Sequence, residues 1–258
     1  MKLLKLIILV LFAFSINAFS QVNIELLLNE GEQSNGIFNS LALSSDLDAG
    51  NSEDWTIITN FRTDWVQDDI YSFFVTYFKY KEVEGTPSTR KGHFHLRSIF
   101  NYKKTFMPEV FIQNNFDKGF NVGNRWLAGT GMRFAVLRID PEEESSPVLN
   151  VDLGTGAMFE YEDYIEESRY TSRFMRSTSY INLYSKINEY VNFQFTSYFQ
   201  FSLIRLKDRV SLTDLNLEFK IFKSLSFLTI LHYRYDNEPP EGLKNYDLEL
   251  ENGIKFSF

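Results

Sequence analysis

The sequence predicts an all-β fold, a transmembrane antiparallel up-and-down β-barrel of about 12 strands. Three observations predict it: apolar residues that alternate with polar ones along most of the chain, an export signal with no cysteine after it, and a terminal strand that stops on phenylalanine. The alternation is plainest at the end. Tyr246, Leu248, Leu250, Ile254, Phe256 and Phe258 fall on one face, with Asn252 the polar exception. Asp247, Glu249, Glu251, Gly253, Lys255 and Ser257 fall on the other. A period of two marks a strand with one oily and one wet face. Four of those six polar-face residues are charged, so that face must meet water or charged partners.

The amino terminus reads as a secretory signal peptide over residues 1–20. Lys2 and Lys5 form a basic start, Leu6 to Ile16 an apolar run, and Ala18-Phe19-Ser20 a cleavage site before Gln21. The apolar run is short for a membrane helix, which needs about 20 residues. No cysteine follows the site, which argues against a lipid anchor. Loss of the two lysines moves the net charge from −8 to −10, the wrong sign for a nucleic-acid partner. An exported chain without cysteine has no disulfide framework. Aromatics make up 17% of the residues, with 26 Phe and 14 Tyr, and they alternate with polar residues rather than forming continuous core segments. A mean hydropathy of −0.23 suits barrel strands, which turn only half their side chains to lipid.

Residues 21–35 are a lead-in, and 36–258 hold the barrel. Strand-like segments run over 36–46, 54–64, 70–81, 90–103, 106–117, 123–138, 148–161, 171–186, 190–204, 209–222, 225–236 and 243–258. Their even number places both termini in the periplasm. The even-to-odd joins are mostly tight, as at Val66–Asp69, Lys103–Thr105, Ile187–Glu189 and Lys223-Ser224. The odd-to-even joins are mostly longer and polar, as at Asp48–Glu53, Glu82–Thr89, Glu162–Tyr170 and Asn237–Gly242. Short periplasmic turns and longer outer loops are the expected asymmetry. Ile139–Pro147, with Pro141 and three consecutive glutamates, is an exceptionally long join for the periplasmic side.

Facing follows from parity. The segment 190–204 turns Val191, Phe193, Phe195, Phe199, Phe201 and Leu203 to lipid, and Asn192, Gln194, Thr196, Tyr198, Gln200 and Ser202 to the lumen. The segment 90–103 sets Phe94, Leu96, Phe100 and Tyr102 against His93, His95 and Arg97. Asn150, Asp152, Gly154 and Gly156 face the lumen from one strand, and Arg125, Gly129, Gly131 and Arg133 from its neighbour. The glycines relieve crowding there or let the wall bend. Trp65, Tyr71, Tyr102, Tyr190 and Tyr233, near strand ends, are candidates for interfacial girdles.

The run Pro108-Glu109-Val110-Phe111-Ile112-Gln113-Asn114-Asn115-Phe116-Asp117, with Asn124-Arg125-Trp126-Leu127-Ala128-Gly129-Thr130-Gly131-Met132-Arg133-Phe134, resembles the middle of the salt-induced outer-membrane protein family of Gram-negative bacteria. An early turn, Ala49-Gly50-Asn51, and a closing hairpin, Tyr235 to Phe258, are similar too. The acidic insertion after Arg138 departs from the family pattern. The resemblance implies an outer-membrane β-barrel domain of unknown function and brings no catalytic residues. Glu251–Phe258 also resembles the terminal insertion signal of bacterial outer-membrane barrels, with Gly253, Phe256 and Phe258 as its marks. The implied partners are outer-membrane lipid and the outer-membrane assembly machinery.

The chemistry is concentrated in the predicted lumen. Arg97, Arg125, Arg133, Arg234 and Lys255 face Glu109, Asp152, Glu218, Glu249 and Glu251 in this register. His93 and His95 share one strand face, but two ligands do not make a zinc site. There is no G-x-S-x-G elbow, P-loop, dinucleotide fingerprint or Cys-based metal motif, so no catalytic residue, metal or cofactor is expected. The readings that follow are a narrow passive pore for small polar solutes, a structural or surface-interaction barrel acting through its outer loops, and an enzyme at the outer rim. Removing Phe256–Phe258, or changing Phe258→Ala, should lower the yield of folded barrel in membranes, while the loop change Glu241→Ala should not. Equal heat-modifiable gel bands for all three would show that the terminal aromatics are dispensable.

Overall fold

The computed structural model describes residues 35–48, 54–139, 148–165, 172–239 and 244–258. These form β1 (Gly36–Asp48), β2 (Asp54–Gln67), β3 (Ile70–Val83), β4 (Thr86–Phe100), β5 (Phe106–Asp117), β6 (Val122–Ile139), β7 (Val148–Tyr164), β8 (Ser172–Lys186), β9 (Val191–Ser202), β10 (Arg209–Phe222), β11 (Leu225–Asp236) and β12 (Tyr246–Ser257). Each strand pairs antiparallel with the next, and β1 returns to β12 to close the barrel. The proposed signal peptide (1–20), the lead-in before Asn35, Ala49-Gly50-Asn51 and the acidic stretch 140–147 lie outside the described residues.

The period-two pattern becomes two surfaces. On β9 Gln194, Thr196, Tyr198, Gln200 and Ser202 are all buried, while the intervening phenylalanines keep part of their surface. Facing outward around the wall are Phe78, Leu96, Ile112, Trp126, Phe159, Met175, Leu248 and Leu250, each at least 39% exposed. Exposed apolar side chains over buried polar ones reverse the usual soluble arrangement and suit a wall whose solvent is lipid.

The tight joins have local causes. Between β2 and β3 a two-residue turn, Asp68-Asp69, puts Asp68 at φ 54°, and the Asn35 side-chain oxygen accepts from its N–H at 2.8 Å. Asp and Asn tolerate that left-handed conformation better than bulkier residues do.

Two expectations are corrected. Glu82–Thr89 is no polar loop: Val83 pairs with Thr86 across the two-residue turn Glu84-Gly85, with φ 50° and 73°. Positive φ at both positions is the turn that matches strand twist. Pro87 is tolerated because the pairing of β4 with β5 begins only at Lys91↔Asp117, leaving Thr86–Arg90 an edge. Tyr71 and Tyr102 do not join an interfacial girdle. Tyr71 donates its hydroxyl to Asp64 at 2.6 Å inside the barrel, and Tyr102 packs on Tyr71 with ring centroids 5.9 Å apart. Parity puts Tyr71 on the face of Phe73 and Val75, both fully buried.

The outward placement of Phe195 sets a test. Phe195→Arg should cost about 2–4 kcal/mol of barrel stability if that face meets lipid. Phe195→Leu, which keeps the surface apolar, should cost far less. Urea unfolding in lipid vesicles, followed by the gel shift of folded barrel, makes the comparison; equal midpoints would mean that this face does not meet lipid.

Candidate functional site

The lumen is built from alternate residues of every strand, and side chains fill it across its middle. At its centre lies the Glu109 carboxylate of β5, 3% exposed. Its Oε2 accepts from Arg97 Nη1 of β4 at 3.1 Å and from the Tyr180 hydroxyl of β8 at 2.9 Å. Arg133 Nε of β6 lies 3.6 Å from the same oxygen and donates to the Tyr180 hydroxyl at 2.9 Å. Two guanidiniums approach the Tyr180 ring, Arg97 at 5.6 Å and Arg133 at 5.4 Å from its centroid. Arg133 also reaches Asp152 of β7 at 3.8 Å, and Asp152 pairs with Arg138 as well. Groups from four strands thus meet at one carboxylate and one phenol, and β7 joins them through Arg133.

Stacked rings carry the layer sideways. Arg62 of β2 lies 4.2 Å over Phe73, Phe73 stacks on His95 at 6.0 Å, and His95 on Phe111 at 5.5 Å. Tyr180 meets Tyr198 of β9 at 5.0 Å. Arg62 is held in turn by Asp64 at 2.8 Å. On the far wall Lys255 of β12 reaches Glu218 of β10 at 3.2 Å. Buried charges at such distances require partners, because leaving one unpaired costs several kcal/mol, about 3–5.

Two glycines make the room. A Cβ on Gly129 would sit 2.5 Å from the Phe111 ring and 2.8 Å from Met158 Cβ, and one on Gly154 would overlap the Tyr180 ring. The rings therefore lie in notches where β6 and β7 carry no side chain.

Nearer the outer loops a second set of pairs runs from β6 to the β9–β10 join. Arg125 donates to Glu160 at 2.9 Å, Arg176 to Glu160 at 3.0 Å and to Asp208 at 2.8 Å. Arg234 pairs with Asp236 at 3.3 Å. On the opposite side Glu251 accepts from the Tyr77 hydroxyl at 2.9 Å and faces His232 at 3.6 Å, while His232 holds Asp214 at 2.5 Å. Glu249 pairs with Lys91 at 2.6 Å and with Lys79.

Each candidate lumen residue can therefore be placed. Arg97, Glu109, Arg133 and Asp152 form one cluster; Glu218 with Lys255, Arg234 with Asp236, and Glu249 and Glu251 with the lysines and His232 form others. Arg125 takes Glu160 rather than Asp152. The two histidines separate: His93 stacks on Tyr77 at 5.4 Å, and His95 Nδ1 bonds Gln113 at 2.9 Å. Among the described residues no group of His, Asp and Glu could hold a metal. Gly253 lies against Leu43 O, where a Cβ would come within 3.0 Å, while Phe256 and Phe258 face outward. Sequence reasoning missed Arg62, Tyr77, Glu160, Arg176, Tyr180 and His232. Parity from Asn182 and Gln194 would have turned Arg176 and Tyr180 inward; the cross-lumen partners left no local signal.

Glu109→Ala would take the shared carboxylate from two buried guanidiniums, so a loss of up to about 3–5 kcal/mol is expected. Glu109→Gln, which keeps an acceptor for Tyr180, should lose less. Thermal unfolding in micelles distinguishes them; a silent Glu109→Ala would mean that Arg97 and Arg133 reach water.

No curated protein matches the sequence. Among solved structures, an outer membrane channel from Pseudomonas putida F1 superposes with a TM-score of 0.54 at 9% identity, covering 92% of this chain and 100% of that one. The NanC porin matches at 0.45 and 8% identity over 85% and 97%, and the transport unit of the autotransporter AIDA-I from Escherichia coli at 0.44 and 12% over 92% and 95%. At this identity the likeness to the channel is one of fold. The family described as a protein of unknown function, DUF481, matches residues 41–258, and the chain belongs to that family.

Proposed function

We propose that this chain is an outer-membrane β-barrel whose lumen is sealed against passive flow, and that its work is done at its outer rim or wall rather than through an axial bore. One observation carries the reading: the layer around Glu109. Arg62, Phe73, His95, Arg97, Glu109 and Tyr198 project inward from β2, β3, β4, β5 and β9, and none is more than 3% exposed. A water-filled pore wets the side chains that line it; these are dry. Twelve strands enclose a space between that of a packed small barrel and an open porin, and here large side chains and notched glycines fill it. The outward apolar band supports membrane placement, as do the resemblance of Pro108–Asp117 to salt-induced outer-membrane proteins and the predicted signal peptide.

The folded protein should fractionate with outer membrane, show heat-modifiable migration and stay electrically silent in a planar bilayer. Arg97→Ala/Tyr180→Ala, which takes a guanidinium and a ring from the layer, should admit ions if it inserts. Steady conductance by the unaltered protein would overturn the seal and favour a narrow passive pore; recovery in the soluble periplasmic fraction would overturn the membrane reading itself.

A further inference from the structure

The acidity of this chain is reversed at one place on the rim. It carries 34 acidic and 26 basic side chains, a net charge of −8. Yet the join between β9 and β10, with the first residue of β10, holds Arg205, Lys207 and Arg209 against a single acid, Asp208. That acid is spent inward: its buried carboxylate takes Arg176 Nη1 at 2.8 Å and Nη2 at 3.2 Å. Arg205 shares its guanidinium between Asp208 and Glu238. Lys207 and Arg209 meet no carboxylate among the described residues. Around the β3–β4 turn, at the same end of the barrel, Glu82 and Glu84 offset Lys81 and Arg90.

The join is tied down from both sides. Ser202 Oγ accepts from the N–H groups of Ile204 at 3.3 Å and Arg205 at 3.1 Å, and the Asp208 N–H donates to Arg205 O at 2.8 Å. Asn237, just past β11, donates its side-chain amide to Lys207 O at 2.7 Å and accepts from the Arg209 N–H at 2.9 Å. Arg209 Nε donates to Leu206 O at 3.2 Å, which holds that side chain against the loop. Cations on a backbone fixed in this way lose less freedom when they bind. Beside them Leu203, Ile204 and Leu206 are left 47%, 69% and 62% exposed.

Register gives the depth. Val210 is fully buried in the lumen, so its neighbours Arg209 and Ser211 stand on the outer face. Arg209 lies opposite Phe201; one step deeper, Ser211 lies opposite Phe199 and Tyr235, and Tyr235 opposite Tyr246. The Phe199 and Phe201 rings are 6.2 Å apart, and Tyr233 and Tyr246 are exposed on the same wall. Such an aromatic belt marks the headgroup level of a membrane barrel. Arg209 stands level with its last ring, and Lys207 and Arg205 lie beyond. Cations over an aromatic belt, with apolar side chains among them, match a layer where phosphate sits above acyl chains.

We infer that the β9–β10 loop is a docking site for a phosphorylated glycolipid of the outer leaflet, an acylated diglucosamine phosphate of the lipid A type. The Arg209 Nη groups and Lys207 Nζ take phosphate oxygens, and Leu203, Ile204 and Leu206 rest against the first methylenes of its chains. With both termini on the periplasmic side, this join lies on the outer surface. Charge complementarity selects the occupant. Phosphates crowded in one leaflet repel each other and need cations between them, and on an acidic protein this loop supplies them. A planar guanidinium can take two phosphate oxygens at once, and an ammonium adds a point charge. The inference rests on the membrane placement proposed above and names what the rim meets there.

The test uses folded, heat-modifiable protein from the outer-membrane fraction, so a failure of membrane placement is seen first and separately. Native mass spectrometry from micelles with added bisphosphorylated lipid A should show the lipid retained. Lys207→Gln/Arg209→Gln should retain it about fivefold less, the worth of two exposed ion pairs. Lys103→Gln/Lys104→Gln, the same loss of charge at the opposite end of the barrel, should retain it fully, as should the charge-keeping Lys207→Arg/Arg209→Lys. Unchanged retention in the loop variant, or an equal loss in the variant at the opposite end, would overturn the site. Phosphatidylglycerol held as well as lipid A would overturn the glycolipid, and release of lipid A by equimolar inorganic phosphate would leave only a site for free anions. A dimer that the loop variant dissolves would put a second copy there instead.

Discussion

The rest of the structure depends on one constraint: a barrel wall that bonds its backbone to itself has only two places for side chains, lipid and lumen, and charge can enter only one of them. The strands here carry more charge than a lipid face tolerates, so arginines, lysines and carboxylates of alternate positions converge inside. Once there they lose most of their water. Glu109 becomes the shared counter-ion of Arg97 and Arg133, and the Tyr180 hydroxyl supplies a hydrogen bond that holds its carboxylate in place. Pairing is therefore a condition of closing this barrel, whatever net stability the pairs themselves contribute.

Volume is the second demand. Five strands send large groups to the same level, and the level closes only because β6 and β7 give up side chains at Gly129 and Gly154. The notches let Phe111 and Tyr180 lie flat against the wall, where their faces can take guanidinium groups. Arg97 stands over both rings, at 4.9 and 5.6 Å from their centroids. Charge, ring and glycine form one assembly. A larger residue at either notch would push a ring off the arginines it covers, so packing and electrostatics there cannot be varied independently.

Much of the fold was legible because the period of two is written in nearly every strand, and twelve segments read from alternation match twelve strands within a few residues. The β3–β4 join was misread for a physical reason. Glu82–Thr89 is polar and holds a proline and a glycine, and beyond the lipid a strand no longer needs an apolar face to persist. Tyr71 was misassigned because β3 is aromatic on both faces: Phe74 and Phe78 alternate with Tyr71, Phe73 and Tyr77, so polarity could not choose between them. The lumen's residue types were legible from parity, but their partners were not. Glu109 meets Tyr180 across 71 positions of sequence, and Tyr77 meets Glu251 across 174. Those meetings depend on how the closed sheet brings distant strands together, which no local pattern records.

The polar groups of the lumen are satisfied unevenly. Around Glu109 the charged groups pair with one another, yet His95 Nε2 in the same layer has no hydrogen-bond partner. Above Leu43 and Ile254 the neighbouring interior changes to Ala42, Ile58, Leu228 and Ile230, which offer no partner to Asn60. Those apolar neighbours supply no donor to the Asn60 oxygen, whose burial therefore costs about 1–3 kcal/mol.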